Sequence, residues 1–331
     1  MTEINTIVET LTSNRDNDVP DNFEMCLKAA DENGLLYPFC KQIGFDKIPH
    51  DYQQRIKSQK RNIETLRETI RRINQISELA DVNYALIKDA NSIEHVPRDV
   101  DILVHPNNKD TFIQAAAELG FDCDQSGDIE TTLTGEDVYP VDLYTNIIYF
   151  CVEFLTPEYL LSSQANREAF GVEYIGLSSE AALLVTLVHG VFGHRRFTLL
   201  DYLHMQNLVS DGVDFDTCRE VATKFGWGDT FNKFLETLNQ METAIECPQS
   251  SIQFPYVLPY SQMMDNVKSI SGFELTPRRH AAITFSIVLD GIKIRVENSM
   301  LYEPIQRCEP LRKFLLAIAY HSRRGRGDQY S

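Results

Sequence analysis

The 331-residue sequence is short of positive charge: 31 Lys and Arg stand against 48 Asp and Glu, a formal net charge of −17. A general nucleic-acid binder needs a basic face to release phosphate counterions, so this balance disfavours that class while leaving room for a local basic groove. Paired cysteines are also lacking. The seven present (Cys26, Cys40, Cys123, Cys151, Cys218, Cys247, Cys308) stand singly, with no C-x-x-C spacing. They read as reduced thiols packed as small apolar groups rather than as a disulfide framework. Met1-Thr2-Glu3-Ile4 has no cationic start followed by an apolar run. No stretch reaches the roughly 20 apolar residues of a membrane helix, and the run 181–188 stops after two turns. The expectation is a soluble, cytoplasmic protein with no membrane partner. Three phosphate or nucleophile signatures are missing as well. There is no Gly-x-x-x-x-Gly-Lys loop and no Gly-x-Ser-x-Gly elbow, and Gly226/Gly228 and Gly325/Gly327 do not sit in a strand-to-helix setting. What is abundant is carboxylate. Carboxylates repel a polyphosphate until a divalent cation bridges the two, so a magnesium enzyme fits the composition.

Periodicity divides the chain into an N-terminal helical segment (1–80), an α/β core (81–155), a C-terminal helical domain (156–321) and a flexible tail (322–331). Residues 21–33 and 51–79 are helix candidates. The second carries Ile56, Ile63, Leu66, Ile70, Ile73 and Ile76 at helical spacings; Lys57, Lys60, Arg61, Arg67, Arg71 and Arg72 read most simply as its solvated face, with a phosphate-facing role as the alternative. Strands are expected near 84–88, 98–104, 121–124, 131–133 and 138–144, around a helix over 109–119 closed by Gly120. From Thr156 the pattern reads as helical: 157–161, 178–188 capped by Ser178, 198–209, 215–225, 230–242, 278–290 and 310–321, with a proline-bearing linker at 247–260. The fold class is therefore α+β, a small mixed sheet flanked by helices.

The chemistry gathers at Arg98-Asp99-Val100-Asp101-Ile102-Leu103-Val104. Alternate residues of a strand share a face, so Asp99 and Asp101 project together while Val100, Ile102 and Val104 face the other way. Such a pair suits Mg²⁺ or Mn²⁺. The plainer alternative is a solvent-facing edge strand that happens to carry two acids. Asp142, in Tyr139-Pro140-Val141-Asp142-Leu143-Tyr144, adds a third carboxylate 41 residues after Asp101. If the two strands pair, the three acids converge as a two-metal phosphoryl-transfer site requires.

Here the sequence resembles the nucleotidyltransferase fold. More narrowly it is similar to an uncharacterised nucleotidyltransferase family of bacteria and archaea. The matching residues are Leu86-Ile87-Lys88, Asp99-Val100-Asp101-Ile102-Leu103-Val104, Val141-Asp142-Leu143, the Leu177-to-His189 stretch with Glu180, Leu183 and Leu184, and Leu199-Leu200-Asp201-Tyr202. The likeness spans about residues 50–210. It implies a small mixed-sheet catalytic core, metal ligation by Asp99, Asp101 and Asp142, and proton removal from an acceptor hydroxyl by Asp142. The reaction implied is attack on the α-phosphorus of a nucleoside triphosphate with release of pyrophosphate. Many members place Gly-Ser or Gly-Gly before the D-x-D strand. This chain has Lys88-Asp89-Ala90-Asn91-Ser92 instead, leaving Lys88 and Ser92 as phosphate-holding candidates with Asp89 opposing them.

Other residues carry two readings each. Arg98 and His95 either contact the γ-phosphate or neutralise the acids. Arg195 and Arg196 are candidate contacts to triphosphate or acceptor. His189 and His194, five positions apart, would lie about 140° apart on a helix and do not form a zinc pair. His189 reads as a buried hydrogen-bonding group, with Asp201 as one candidate partner. Glu130 is a candidate extra ligand. The acceptor is expected to be a small molecule or protein rather than RNA. The alternative from a different class is a catalytically inactive, nucleotidyltransferase-like binding or regulatory protein, such as a component of a toxin–antitoxin system.

Overall fold

A computed structural model describes residues 3–12, 19–88, 93–126, 130–149, 152–190, 196–246 and 256–257. The candidate helices at 278–290 and 310–321, most of the 247–260 linker and the 322–331 tail lie outside these residues.

Helices open the chain: α1 (Glu3–Thr12), α2 (Phe23–Glu32), α3 (Leu36–Ile43) and the long α4 (His50–Ala80). The expected isoleucine stripe of α4 is buried in full, with Thr69 added to it. The helix ends at Asp81, whose left-handed φ of 52° lets the Val82 N–H reach back to the Ser77 carbonyl at 3.1 Å. The opposite face is not all solvated. Arg67 donates from Nε to the Phe170 carbonyl at 2.6 Å, a contact 103 residues away that spacing alone could not reveal.

Next come β1 (Tyr84–Leu86), β2 (Val100–Val104), α5 (Lys109–Glu118), β3 (Asp122–Ser126), β4 (Glu130–Thr134), β5 (Val141–Tyr144), β6 (Ile147–Tyr149) and β7 (Val152–Leu155). Then follow α6 (Pro157–Ser162), β8 (Gln164–Ala169), β9 (Val172–Leu177) and α7 (Ser179–Val188). The described chain continues with β10 (Arg196–Phe197), α8 (Leu199–Ser210), α9 (Phe215–Lys224), α10 (Gly228–Glu246) and β11 (Tyr256–Val257). Helix α5 buries Phe112, Ala115 and Ala116 as its spacing requires, and Gly120 (φ 83°) ends it. Ser178 caps α7, accepting from the Ala181 N–H at 3.3 Å.

The fold is mixed α+β around a seven-stranded sheet of order β3-β4-β5-β2-β1-β9-β8. The pairs β2–β5 and β1–β9 are parallel; the other neighbours are antiparallel. This corrects two expectations. The sheet is larger than a small core, and the region after Thr156 is not uniformly helical, because residues 164–177 form the β8–β9 hairpin on the sheet's far edge. Its turn, Phe170-Gly171, has φ of 54° and 74°, the two positive values of a tight two-residue hairpin turn. Phe is a poor residue for that conformation, so the usual Asn-Gly signature was absent. Burial of the Phe170 ring and the Arg67 bond to its carbonyl hold it there.

Helix α4 lies against the face that carries Tyr84, Ile102 and Val104: the Tyr84 hydroxyl donates to Asn74, and the Thr69 hydroxyl accepts the Tyr139 N–H at 2.7 Å. The N-terminal helices also meet the later ones. Asn5 donates to the Ile245 carbonyl at 2.6 Å, and the Leu199 N–H to Asn33 at 3.4 Å. The single tryptophan, Trp227, is buried and donates to the Phe154 carbonyl at 3.0 Å, tying the segment before α10 to β7.

Among the described cysteines, Cys26, Cys40 and Cys218 are buried and Cys123 is exposed, all as free thiols. Among the described residues no helix is long and apolar enough to cross a membrane.

Candidate metal centre

The parallel ladder between β2 and β5 decides the site. Its register sets Val100 beside Val141, Asp101 beside Asp142 and Ile102 beside Leu143. The Val100 N–H donates to the Pro140 carbonyl at 2.8 Å, extending the pairing to the entry of both strands. Asp99, two residues before Asp101, therefore shares its face. Asp99, Asp101 and Asp142 each offer a carboxylate oxygen, and these oxygens lie within 4.8 Å of one another. No other such group occurs among the described residues. Strand β2 is flanked on both sides, by β5 and β1. The edge-strand alternative therefore fails, and Asp101 is only 4% exposed.

Three like charges so close oppose their own ionisation. Burial first, then the charges of Asp101 and Asp142, push the Asp99 carboxyl up to about 6, with Lys88 and Arg98 pulling the other way. Burial is also the largest cause raising Asp101, opposed chiefly by Lys88. The Lys88 ammonium donates to Asp101 Oδ1 at 2.7 Å and stands 5.0 Å from the centre of the Tyr144 ring. Thr132, opposite Asp142 on β4, donates from its hydroxyl to Asp142 Oδ1 at 2.8 Å. Tyr144 hydrogen-bonds to Asp101 as well. The Tyr139 hydroxyl donates to the Pro97 carbonyl at 2.5 Å, fixing the approach of the Arg98-Asp99 segment to β5.

Hard oxygen donors on rigid strands, with their charge only partly compensated by Lys88 and Arg98, suit a divalent cation such as Mg²⁺ or Mn²⁺. The residues present thus fit an ion. A bound cation would favour the ionised forms of Asp99 and Asp101 and oppose the upward shift that burial imposes on both.

Of the other sequence candidates, Lys88 reaches the site, but as an ion-pair partner of Asp101. Arg98 is exposed, and its charge acts on Asp99. Ser92 and Arg195 lie outside the described residues, as does His194. Arg196 contributes backbone to β10, paired with Val257. Glu130 is exposed and pairs with Tyr144, outside the three-carboxylate group. His95 is corrected: its ring is buried and its pKa is driven down to about 4, with Nδ1 3.3 Å from the Ile93 carbonyl. A buried neutral imidazole does not neutralise the acids. Asp201 completes the capping box of α8 with the N-cap Thr198, accepting at Oδ2 from the Thr198 N–H at 2.7 Å and the Thr198 hydroxyl at 2.8 Å.

Sequence reasoning missed Thr132, Tyr139 and Tyr144. Tyr144 shares the strand phase of Asp142 and was legible in principle. Thr132 required the β4–β5 register. No protein-family model matches this chain, and no curated protein matches it either.

Proposed function

We propose that the chain is a metal-dependent nucleotidyltransferase, moving a nucleoside monophosphate from a triphosphate to a hydroxyl acceptor. The observation carrying this reading is the β2–β5 register, which gathers Asp99, Asp101 and Asp142 within 4.8 Å of one another. The mixed sheet with an acidic pair on a central strand and a third acid on its parallel neighbour fits a nucleotidyltransferase-like core.

Asp99, Asp101 and Asp142 would hold Mg²⁺ or Mn²⁺, which supplies charge neutralisation at the phosphates and at the attacking oxygen. Asp142, oriented by Thr132, takes the proton of the acceptor hydroxyl. The acceptor oxygen forms a bond to the α-phosphorus as the bond from that phosphorus to the bridging oxygen of the β-phosphate breaks. Pyrophosphate leaves with the electron pair. Arg98, exposed and acting on Asp99 by its charge, would meet a phosphate of the leaving group. The net charge of −17 favours a small molecule or a protein as acceptor over RNA.

The test incubates the protein with Mg²⁺ or Mn²⁺, each α-labelled nucleoside triphosphate and panels of small hydroxyl compounds, proteins and RNA. Wild type is expected to transfer label, and Asp101→Asn to lose about 10³-fold or more of that rate. Equal transfer by Asp101→Asn would sink the metal assignment.

A further inference from the structure

Lys88 already occupies the most buried acid of the site. Its Nζ lies 2.7 Å from Asp101 Oδ1, and the two side chains are 16% and 5% exposed. The Tyr144 ring faces the same ammonium at 5.0 Å, so the cation sits between a carboxylate and an aromatic face. A divalent ion held by Asp99, Asp101 and Asp142 would add two positive charges within a few ångströms of this ammonium. Two cations in one poorly solvated acidic cluster repel strongly, and they compete for the same carboxylate. A lysine can respond where a shorter residue could not, because its charge rides on a flexible four-carbon stem. An ammonium leaving Asp101 from a largely buried position needs a new anion rather than an apolar wall. The substrate class proposed above brings one, since a triphosphate carries its own oxygens to the metal.

We infer that Lys88 is an exchangeable internal cation: it holds Asp101 while the site is empty and passes to the polyphosphate when a metal–polyphosphate complex binds. The site is therefore built to load metal and polyphosphate together and to bind bare metal poorly. This rests on the metal reading of Asp99, Asp101 and Asp142.

The two can be separated with the full chain by titrating Mn²⁺ alone and the preformed Mn²⁺–tripolyphosphate complex into wild type, Lys88→Met and Asp101→Asn. Lys88→Met is expected to bind bare Mn²⁺ about tenfold or more tighter than wild type and the complex about tenfold or more weaker. A lysine that merely supports the fold would move both affinities in one direction. Any pair of shifts without opposite signs overturns the inference. If wild type and Lys88→Met bind neither titrant better than Asp101→Asn does, the metal reading itself fails. A measurement on wild type alone avoids any folding defect of the variant: acetylation of Lys88, followed by mass spectrometry, should rise when saturating Mn²⁺ displaces the ammonium and fall again with tripolyphosphate. Labelling that Mn²⁺ leaves unchanged also overturns the exchange.

Discussion

Val100, Ile102, Val104, Val141 and Leu143 are all 0% exposed on one face of β2 and β5, while Asp99, Asp101, Asp142 and Tyr144 alternate with them on the other. The strands and backbone bonds are shared, yet the two faces contribute opposite terms to stability. The apolar face gains from every methylene removed from water. The acidic face holds three carboxylates together against their mutual repulsion, relieved in part by Lys88 and by the hydroxyls of Thr132 and Tyr144. A chain selected for stability alone would not keep that second face. A cation held there would relieve that repulsion, and the rigid apolar face is what keeps the acids from moving apart.

The largest expected effect breaks the apolar face. Ile102→Ala should cost about 2 to 5 kcal/mol in urea unfolding, since it opens a cavity under a fully buried strand. An unchanged midpoint would show that this face is not the anchor.

A second test moves away from the strands to the buried imidazoles of His95 and His204. Burial lowers His95 to about 4; burial first, then the repulsion that two protonated rings would feel and the charge of Arg167, lowers His204 to about 3. The unfolded rings take up protons near 6.5 and the folded ones do not. Stability is therefore lost as pH falls from about 6.5 towards 4, by roughly 3 kcal/mol per ring. Nδ1 of His204 has no hydrogen-bond partner among the described residues, so His204→Phe should remove that ring's share of the acid loss. Thermal unfolding of both proteins between pH 8 and 5 checks it; parallel curves would refute the assignment.

On the acidic face, Thr132→Val removes the donor that orients Asp142. It should weaken Mn²⁺ binding by about tenfold, or ~1.4 kcal/mol, while leaving the unfolding midpoint nearly unchanged. Calorimetry on the variant decides whether orientation matters.

The smallest effect has the opposite sign to the first. The folded Asp99 carboxyl titrates near 6 against an unfolded value of 3.8, so the unfolded chain releases its proton first and stability falls as pH rises between the two. Asp99→Asn should therefore raise Tm at pH 7.5 by about 2 to 4 °C without added metal, and by less at pH 4. A lower Tm at pH 7.5 would mean that the acids are not in conflict there.

Much of the local architecture was legible because it depends on neighbours in the chain. The α4 stripe, the amphipathic α5 and the Ser178 cap follow from 3.6-residue spacing and from side chains that satisfy nearby backbone N–H groups. The β8–β9 hairpin was not legible, because Phe170 adopts a conformation that its own chemistry disfavours and that Arg67 of a distant helix secures. One of the two readings of His95 fails for a related reason: beside two aspartates it looks like a counter-charge, and only its burial keeps it neutral.

For the candidate centre, the sequence by itself determined the shared face of Asp99 and Asp101, because alternation is a property of any strand. It also supplied the shortage of positive charge that makes a cation welcome. Only the tertiary structure decided that β5 runs parallel to β2 in the register that sets Asp142 beside Asp101, and that β2 is a central strand rather than an edge. It alone decided that Lys88 lies on Asp101. Pairing register arises from packing across the whole sheet, and a slip of one residue would have turned Asp142 to the apolar side.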